Sequence, residues 1–176
     1  MPFERFDLST FWEQSEYAND QYVGLSLTQD VIAAAEGYLR YKLPRSYVEL
    51  CNVQNGGMPV RTAHRMTEQT SWADDHIAVT GIYSIGSEKR YSLCGEFSSE
   101  FWVSEWGYPD IGVYFADCPS AGHDMLCLDY RSCGPSGEPQ VVHIDQERDY
   151  KITMVAPNFE SFIRGLESIE SFHAGA

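Results

Sequence analysis

The sequence predicts an α+β fold in a single domain: a largely antiparallel or mixed sheet of about six strands, with N-terminal helices and a C-terminal helix packed on it. Three observations predict it. Helical periodicity is confined to the first third and the last segment, whereas short β-branched and aromatic runs fill the middle, an order that marks the α+β class. Between Trp106 and His143 lie three such runs, Ile111 to Ala116, Met125 to Tyr130 and Gln140 to Ile144, separated by turns of Gly, Pro, Ser and Asp. The first two runs are apolar on both parities. Ile111, Val113 and Phe115 face one way, and Tyr114 and Ala116 the other. A strand of that kind sits mid-sheet with something packed on each side.

A chain of 176 residues is long enough to hold one sizeable core. One domain over 1–176 is expected, with its core at about 5–168 and a frayed tail at 169–176. Ser9 or Thr10 caps a short helix whose Phe11 and Trp12 tuck under the sheet. Thr28 caps a clearer helix, with Val31, Ile32, Ala35, Tyr38 and Leu39 at helical spacing and Asp30 in its first turn. Pro44 suits the first position of the next helix, which carries Tyr47, Val48, Leu50 and Cys51. That helix stops before Asn55-Gly56-Gly57, where glycine supplies the positive φ of a helix exit.

Met58 to Asp75 is polar and irregular, with Arg61, His64 and Arg65, and is expected as a long surface loop. Strands follow at Ile77 to Tyr83, Tyr91 to Cys94 and Phe101 to Ser104, then the three central runs, then Ile152 to Val155. Trp102 and Trp106 share one strand face on this reading, which is a core pattern more than a stacking platform for bases. After Ala156-Pro157-Asn158, Phe159, Phe162, Ile163 and Leu166 form the apolar stripe of a closing helix.

Charge is the strongest compositional signal. Twelve Lys and Arg stand against 26 acids, a net charge of −14. From Tyr91 to Tyr130 there are seven carboxylates and no Lys or Arg. Such a surface repels nucleic acid and anionic membrane and steers toward basic partners. No apolar run approaches the roughly 20 residues of a membrane span, and Met-Pro-Phe-Glu-Arg-Phe-Asp has no signal-peptide character. A cytoplasmic protein is expected. Five cysteines without a Cys-x-x-Cys pair argue against both a disulfide framework and structural zinc; Cys51 and Cys127 are expected as buried thiols.

His123, Asp124, Asp129 and His143 form the one cluster resembling a metal or acid–base site. Against that, Asp124 follows the turn Ser120-Ala121-Gly122, where Asp caps backbone N–H groups, and Asp129 has Arg131 two residues on, the same-face spacing of a strand. Ser120 is not in a Gly-x-Ser-x-Gly elbow. Asn55-Gly56-Gly57 lies at the wrong end of a helix for an anion. No cofactor or metal is expected.

Leu43-Pro44-Arg45-Ser46-Tyr47 followed by Asn55-Gly56-Gly57 resembles the helix signature of the SUKH superfamily, which includes the yeast cell-wall-assembly regulators. Gly81-Ile82-Tyr83-Ser84-Ile85-Gly86 is similar to its strand and turn after a variable loop. Leu128-Asp129-Tyr130, Gly137-Glu138-Pro139-Gln140-Val141-Val142 and Ala156-Pro157-Asn158-Phe159 with Phe162 resemble its paired strands and closing helix. Glu105-Trp106-Gly107-Tyr108-Pro109 and Ser120 to Asp124 look like a bacterial subfamily. The resemblance implies a fold of helices on a sheet, no catalytic activity, and for many bacterial members an immunity role: binding and neutralising a toxin domain, often a nuclease. A nuclease binds a polyanion, so Glu96, Glu100, Glu105, Asp110, Asp117 and Asp124 are expected to face a basic toxin cleft. The competing expectations are a regulatory or scaffold module binding a host protein, and a metal-dependent hydrolase using His123, Asp124, Asp129 and His143.

Overall fold

The computed structural model describes residues 1–173. Helices α1 (Glu16–Gln21), α2 (Gln29–Leu39) and α3 (Arg45–Val53) come first, and all the strands follow. A five-stranded antiparallel sheet has the order β3 (Gly81–Ile82), β4 (Gly112–Asp117), β5 (Asp124–Asp129), β6 (Gln140–Asp145), β7 (Lys151–Ala156). A second sheet of three antiparallel strands joins β2 (His76–Ala78), β1 (Ala63–Arg65) and β8 (Leu166–Glu167). Helices α4 (Ser99–Trp106), α5 (Phe159–Arg164) and α6 (Glu170–His173) complete the fold. It is α+β in one domain, with two sheets where the sequence suggested one.

The central strands lie where the alternation put them. Val113 to Ala116 of β4 and every residue of β5 are buried. On one side Phe115 meets Tyr47 of α3 and both Phe159 and Phe162 of α5, with ring centroids 5.5 to 6.1 Å apart. On the other, Tyr114 packs against Tyr108, which meets Trp102 of α4. A bulge between Tyr114 and Ala116 adds one residue to β4, and the carbonyl of Phe115 accepts the Tyr83 N–H at 2.8 Å.

Five expected segments differ. Ser9 and Thr10 lie in turns; the first helix begins at Glu16, where the Ser15 hydroxyl accepts the Ala18 N–H, though Phe11 and Trp12 are buried as expected. Ile77 to Tyr83 is not one strand: the Val79 N–H goes to Thr62 and the Thr80 N–H to Asp117, so the chain passes there from one sheet to the other. Tyr91 to Cys94 makes only a bridge between Ser84 and Ser92. Phe101 to Ser104 is helical, inside α4. Ser98 precedes that helix and Gly107, left-handed at φ 77°, ends it. Of the loop from Met58 to Asp75, residues Ala63–Arg65 form β1.

Thr28 caps α2 and Pro44 stands at the N-cap of α3, one position before the place expected for it. Asn158 caps α5, accepting the Ser161 N–H at 2.8 Å, and Leu166 is buried from β8. Of the tail, α6 places Phe172 on His76, while 174–176 lie outside the described residues. Among the described residues no helix is long and apolar enough to cross a membrane.

The turn after α3 is fixed by one side chain. Asn55 is buried; its amide donates to the carbonyls of Leu25 (2.8 Å) and Ile85 (2.9 Å), and its oxygen accepts the Ile85 N–H (2.8 Å). Gly56 at φ 85° lies so close to Ser84 that a Cβ would meet the Ser84 nitrogen at 2.6 Å. Leu43 is buried, and Tyr47 donates to the Tyr83 carbonyl at 2.5 Å. Asn55→Ala therefore orphans the buried N–H and carbonyl of Ile85 and releases the carbonyl of Leu25, and should lower unfolding free energy by about 2–4 kcal/mol. Urea denaturation of the variant checks this; a loss within about 0.5 kcal/mol would mean that water replaces the amide.

Candidate functional site

The four residues of the possible metal or acid–base site do not form one site. Asp124 opens β5 and His143 lies on β6; the His143 Nε2 is 2.7 Å from Asp124 Oδ2, and both are buried. The other carboxylate oxygen accepts the Ser120 hydroxyl, which itself accepts the Asp124 N–H. His123 faces outward and meets Glu147 (2.8 Å) and Gln146 (3.0 Å). Asp129 accepts both the Nε (3.0 Å) and the Nη2 (2.8 Å) of Arg131. Among the described residues no three His, Cys, Asp or Glu side chains gather as a metal-holding group.

The serine, carboxylate and imidazole are in the wrong order for nucleophilic relay. A triad needs the imidazole between hydroxyl and carboxylate, whereas Asp124 stands between Ser120 and His143, whose Nδ1 has no hydrogen-bond partner among the described residues. What this network does is tie the turn before β5 to β6. Asp145, opposite Asp124 across the β5–β6 ladder, performs a parallel task, accepting the Ser71 N–H (2.8 Å) and hydroxyl (2.6 Å) from the loop after β1. The cysteines are equally quiet. Burial pushes Cys51 up to about 12, Cys94 up to about 11, and Cys118 and Cys127 well above the usual thiol range. They are thiols, not thiolates, at neutral pH.

The acidic stretch converges on α4. Glu96 precedes the helix, Glu100 and Glu105 lie on it, and Asp110 follows it; all four are exposed. Trp102 holds the helix down, its indole N–H directed to the Phe97 carbonyl (3.0 Å) and the Tyr83 hydroxyl (3.2 Å). Glu96 is engaged by Arg90 at 3.2 Å, and Glu100 accepts the hydroxyl of Tyr38 at 2.9 Å. Among the described residues neither Glu105 nor Asp110 has a basic partner. Tyr38, expected in the core stripe of α2, is half exposed instead. Around it runs a groove of about 360 Å³ between α2 and α4, lined by Tyr41, Glu100, Val103 and Asp110. On the far side of Tyr38 a more apolar groove of about 330 Å³ is lined by Leu25, Val31, Ala34 and Ile85.

Two of the six acids lie elsewhere. Asp124 is inside the protein, held by His143 and Ser120. Asp117, at the end of β4, is largely buried and accepts the Tyr22 hydroxyl through both oxygens, at 2.8 and 3.0 Å. Tyr22 reaches it by lying flat on Gly81, where a Cβ would sit 2.1 Å from the ring. Of the motif residues, Trp106 is half-buried on α4 beside Gly107, Pro139 is buried, and Glu138 is exposed beside Arg45 in a shallow surface pocket.

Burial pushes the Asp117 carboxyl up to about 7, against the opposing pull of the Tyr22 hydroxyl. In an unfolded chain the same group loses its proton near about pH 4. Between these values the folded protein holds the extra proton, so this group's contribution to stability is present at low pH and is lost as pH rises through about 7. Asp117→Asn keeps an acceptor for Tyr22 and removes the charge. Its urea midpoint should gain steadily on that of the wild type between pH 4 and 8; a constant difference would show that Asp117 titrates like an exposed carboxylate.

A profile of the SMI1-KNR4 cell-wall family (SUKH_6) matches residues 29–163, from α2 through α5. Among curated proteins none matches. The matched span takes in the Asn55-Gly56-Gly57 turn, both faces of the central sheet and the α4 ridge, and it covers most of the sequence; the chain belongs to the SUKH (SMI1-KNR4) family.

Proposed function

We propose that this chain is a non-catalytic binding protein of the immunity type, which neutralises a basic toxin domain through the carboxylates on and around α4. Membership of the SUKH family is consistent with a non-catalytic immunity or regulatory module and supports the reading. The observation that carries it is the α4 ridge: Glu96, Glu100, Glu105 and Asp110 stand exposed in a stretch that has no Lys or Arg from Tyr91 to Tyr130. A nuclease toxin bears a basic cleft for a polyanion, and a rigid row of carboxylates competes for it, with association accelerated by long-range attraction. The shallow groove beside Tyr38 adds the aromatic and aliphatic contacts that anchor such an interface once charge has steered the encounter.

One observation favours a second reading. The groove lined by Leu25, Val31 and Ile85 is apolar, and Leu25 is among the most exposed large side chains of the protein. A regulatory module binding a host protein would use such a surface, and its complex would resist salt.

Affinity capture with the tagged protein from lysate of its own host, washed at rising salt, separates the two. A basic toxin domain eluted by salt supports the immunity reading; a host protein retained in high salt moves the assignment to the regulatory one. With the captured toxin in hand, Glu100→Lys, Glu105→Lys and Asp110→Lys combined should weaken binding by about two to three orders of magnitude and flatten its salt dependence. Unchanged affinity with an intact fold removes the α4 ridge from the interface.

A further inference from the structure

The face of α4 turned away from the Tyr38 groove borders a second cavity, of about 370 Å³ and open to solvent. Its walls are aromatic: Tyr91, Phe97, Phe101, Trp102 and Trp106, with successive ring centroids from Tyr91 to Trp106 5.0 to 5.5 Å apart. Four of these rings are only partly buried, so they present faces and edges to the cavity as well as to the core. The turn at Gly122 closes one side; a Cβ there would meet Trp106 at 2.9 Å, so only glycine lets the indole lie against it.

The one ionisable carboxylate lining this cavity belongs to Asp117. Among the described residues it has no basic partner; its hydrogen bonds, from the Tyr22 hydroxyl to both oxygens and from the backbone N–H groups of Gly81 and Asp117, come from neutral donors and leave it without a counter-charge. The chain places its own cations on aromatic rings elsewhere, Arg65 over Phe172 and Arg164 over Phe6, and among the described residues none over this wall. A carboxylate without a counter-charge in a cavity lined by aromatic rings repels anions, and an apolar occupant would strip it of water without replacing the lost interaction. A cation satisfies both the carboxylate and the rings.

We infer that this cavity is the receptor for one arginine side chain of a protein partner, whose guanidinium donates to the Asp117 carboxylate beside the Tyr22 hydroxyl and meets the aromatic wall that includes Trp106. The guanidinium fits better than an ammonium because it is planar, weakly hydrated and able to donate to a carboxylate while stacking on aromatic rings. The cavity admits a single long side chain from a surface that already repels anions, and it lies on the same helix as the exposed carboxylates. The inference deepens the proposed function and rests on it for the identity of the partner: it names the anchor by which a basic protein is gripped after the α4 carboxylates have steered it in. Burial raises the affinity of Asp117 for its proton, so an arriving guanidinium competes with that proton near neutral pH and is favoured above it.

The test uses the protein alone, so that it stands apart from the capture experiment. Nα-acetyl-arginine-N-methylamide and its neutral isostere Nα-acetyl-citrulline-N-methylamide are titrated at pH 8, followed by tryptophan fluorescence and by the indole N–H resonances of Trp102 and Trp106. The arginine probe should bind in the low-millimolar range expected of one isolated anchor, at least about tenfold more tightly than the citrulline probe. Asp117→Asn should abolish that preference, and Trp106→Leu should weaken the arginine probe several-fold. If either variant fails to fold, the wild-type comparison of the two probes still decides. Equal binding of the two probes, or an arginine preference that survives in folded Asp117→Asn, overturns the inference while leaving the α4 carboxylate reading in place. Micromolar binding of the free probe also overturns it, since that affinity belongs to a small-molecule receptor and not to one anchor of an interface.

Discussion

β4 is buried on both faces, and that constraint dictates what surrounds it. A strand with Val113, Tyr114, Phe115 and Ala116 all inside needs a cover on each side, because neither face can be left to water. The fold meets one need with α3 and α5 and the other with α4 and Tyr108. Gly112 shows how tight the arrangement is, for a Cβ there would lie 1.8 Å from the Leu128 carbonyl oxygen. The bulge at Phe115 is part of the same solution. It turns Phe115 toward Tyr47 and Phe159, and leaves Tyr114 facing Tyr108, in a stretch where strict alternation with β5 is broken by one residue.

This constraint was legible in the sequence, since a run of β-branched and aromatic residues apolar on both parities has few alternatives. The helices α2, α3 and α5 were legible for the same kind of reason: caps at Thr28 and Asn158 and a proline at the start of α3 are local signals. α4 was misread as strand because Phe101, Trp102 and Val103 favour strands, and because residues four apart, Trp102 and Trp106, share a face in a helix and in a strand alike. Ser98-Ser99-Glu100 before the run and Gly107 after it held the deciding information. The break at Val79 and Thr80 had no such signal, since it is set by hydrogen bonds to Thr62 and Asp117 that only the assembled sheets supply.

The site was half legible. Composition marked an acidic segment from Glu96 to Asp124 but could not sort its members. Glu100, Glu105 and Asp110 stay outside because α4 presents its polar edge to solvent. Asp117 and Asp124 go inside because Tyr22 and His143, distant in sequence, meet them there. One helix thus separates two environments, an acidic groove on one flank and an aromatic hollow on the other, and the tryptophans that dock it also line the hollow.

The end of the chain has a further consequence. α5 lays Phe159 and Phe162 over Tyr47 and Phe115, β8 pairs with β1, and Arg164 donates to the carbonyl of Glu4 at 2.8 Å. Contacts this far apart in sequence close long loops and are slow to form. Until residues 159–167 dock, the Phe115 side of β4 is therefore covered by α3 alone, and an intermediate that has made α3 and the meander exposes part of its aromatic face.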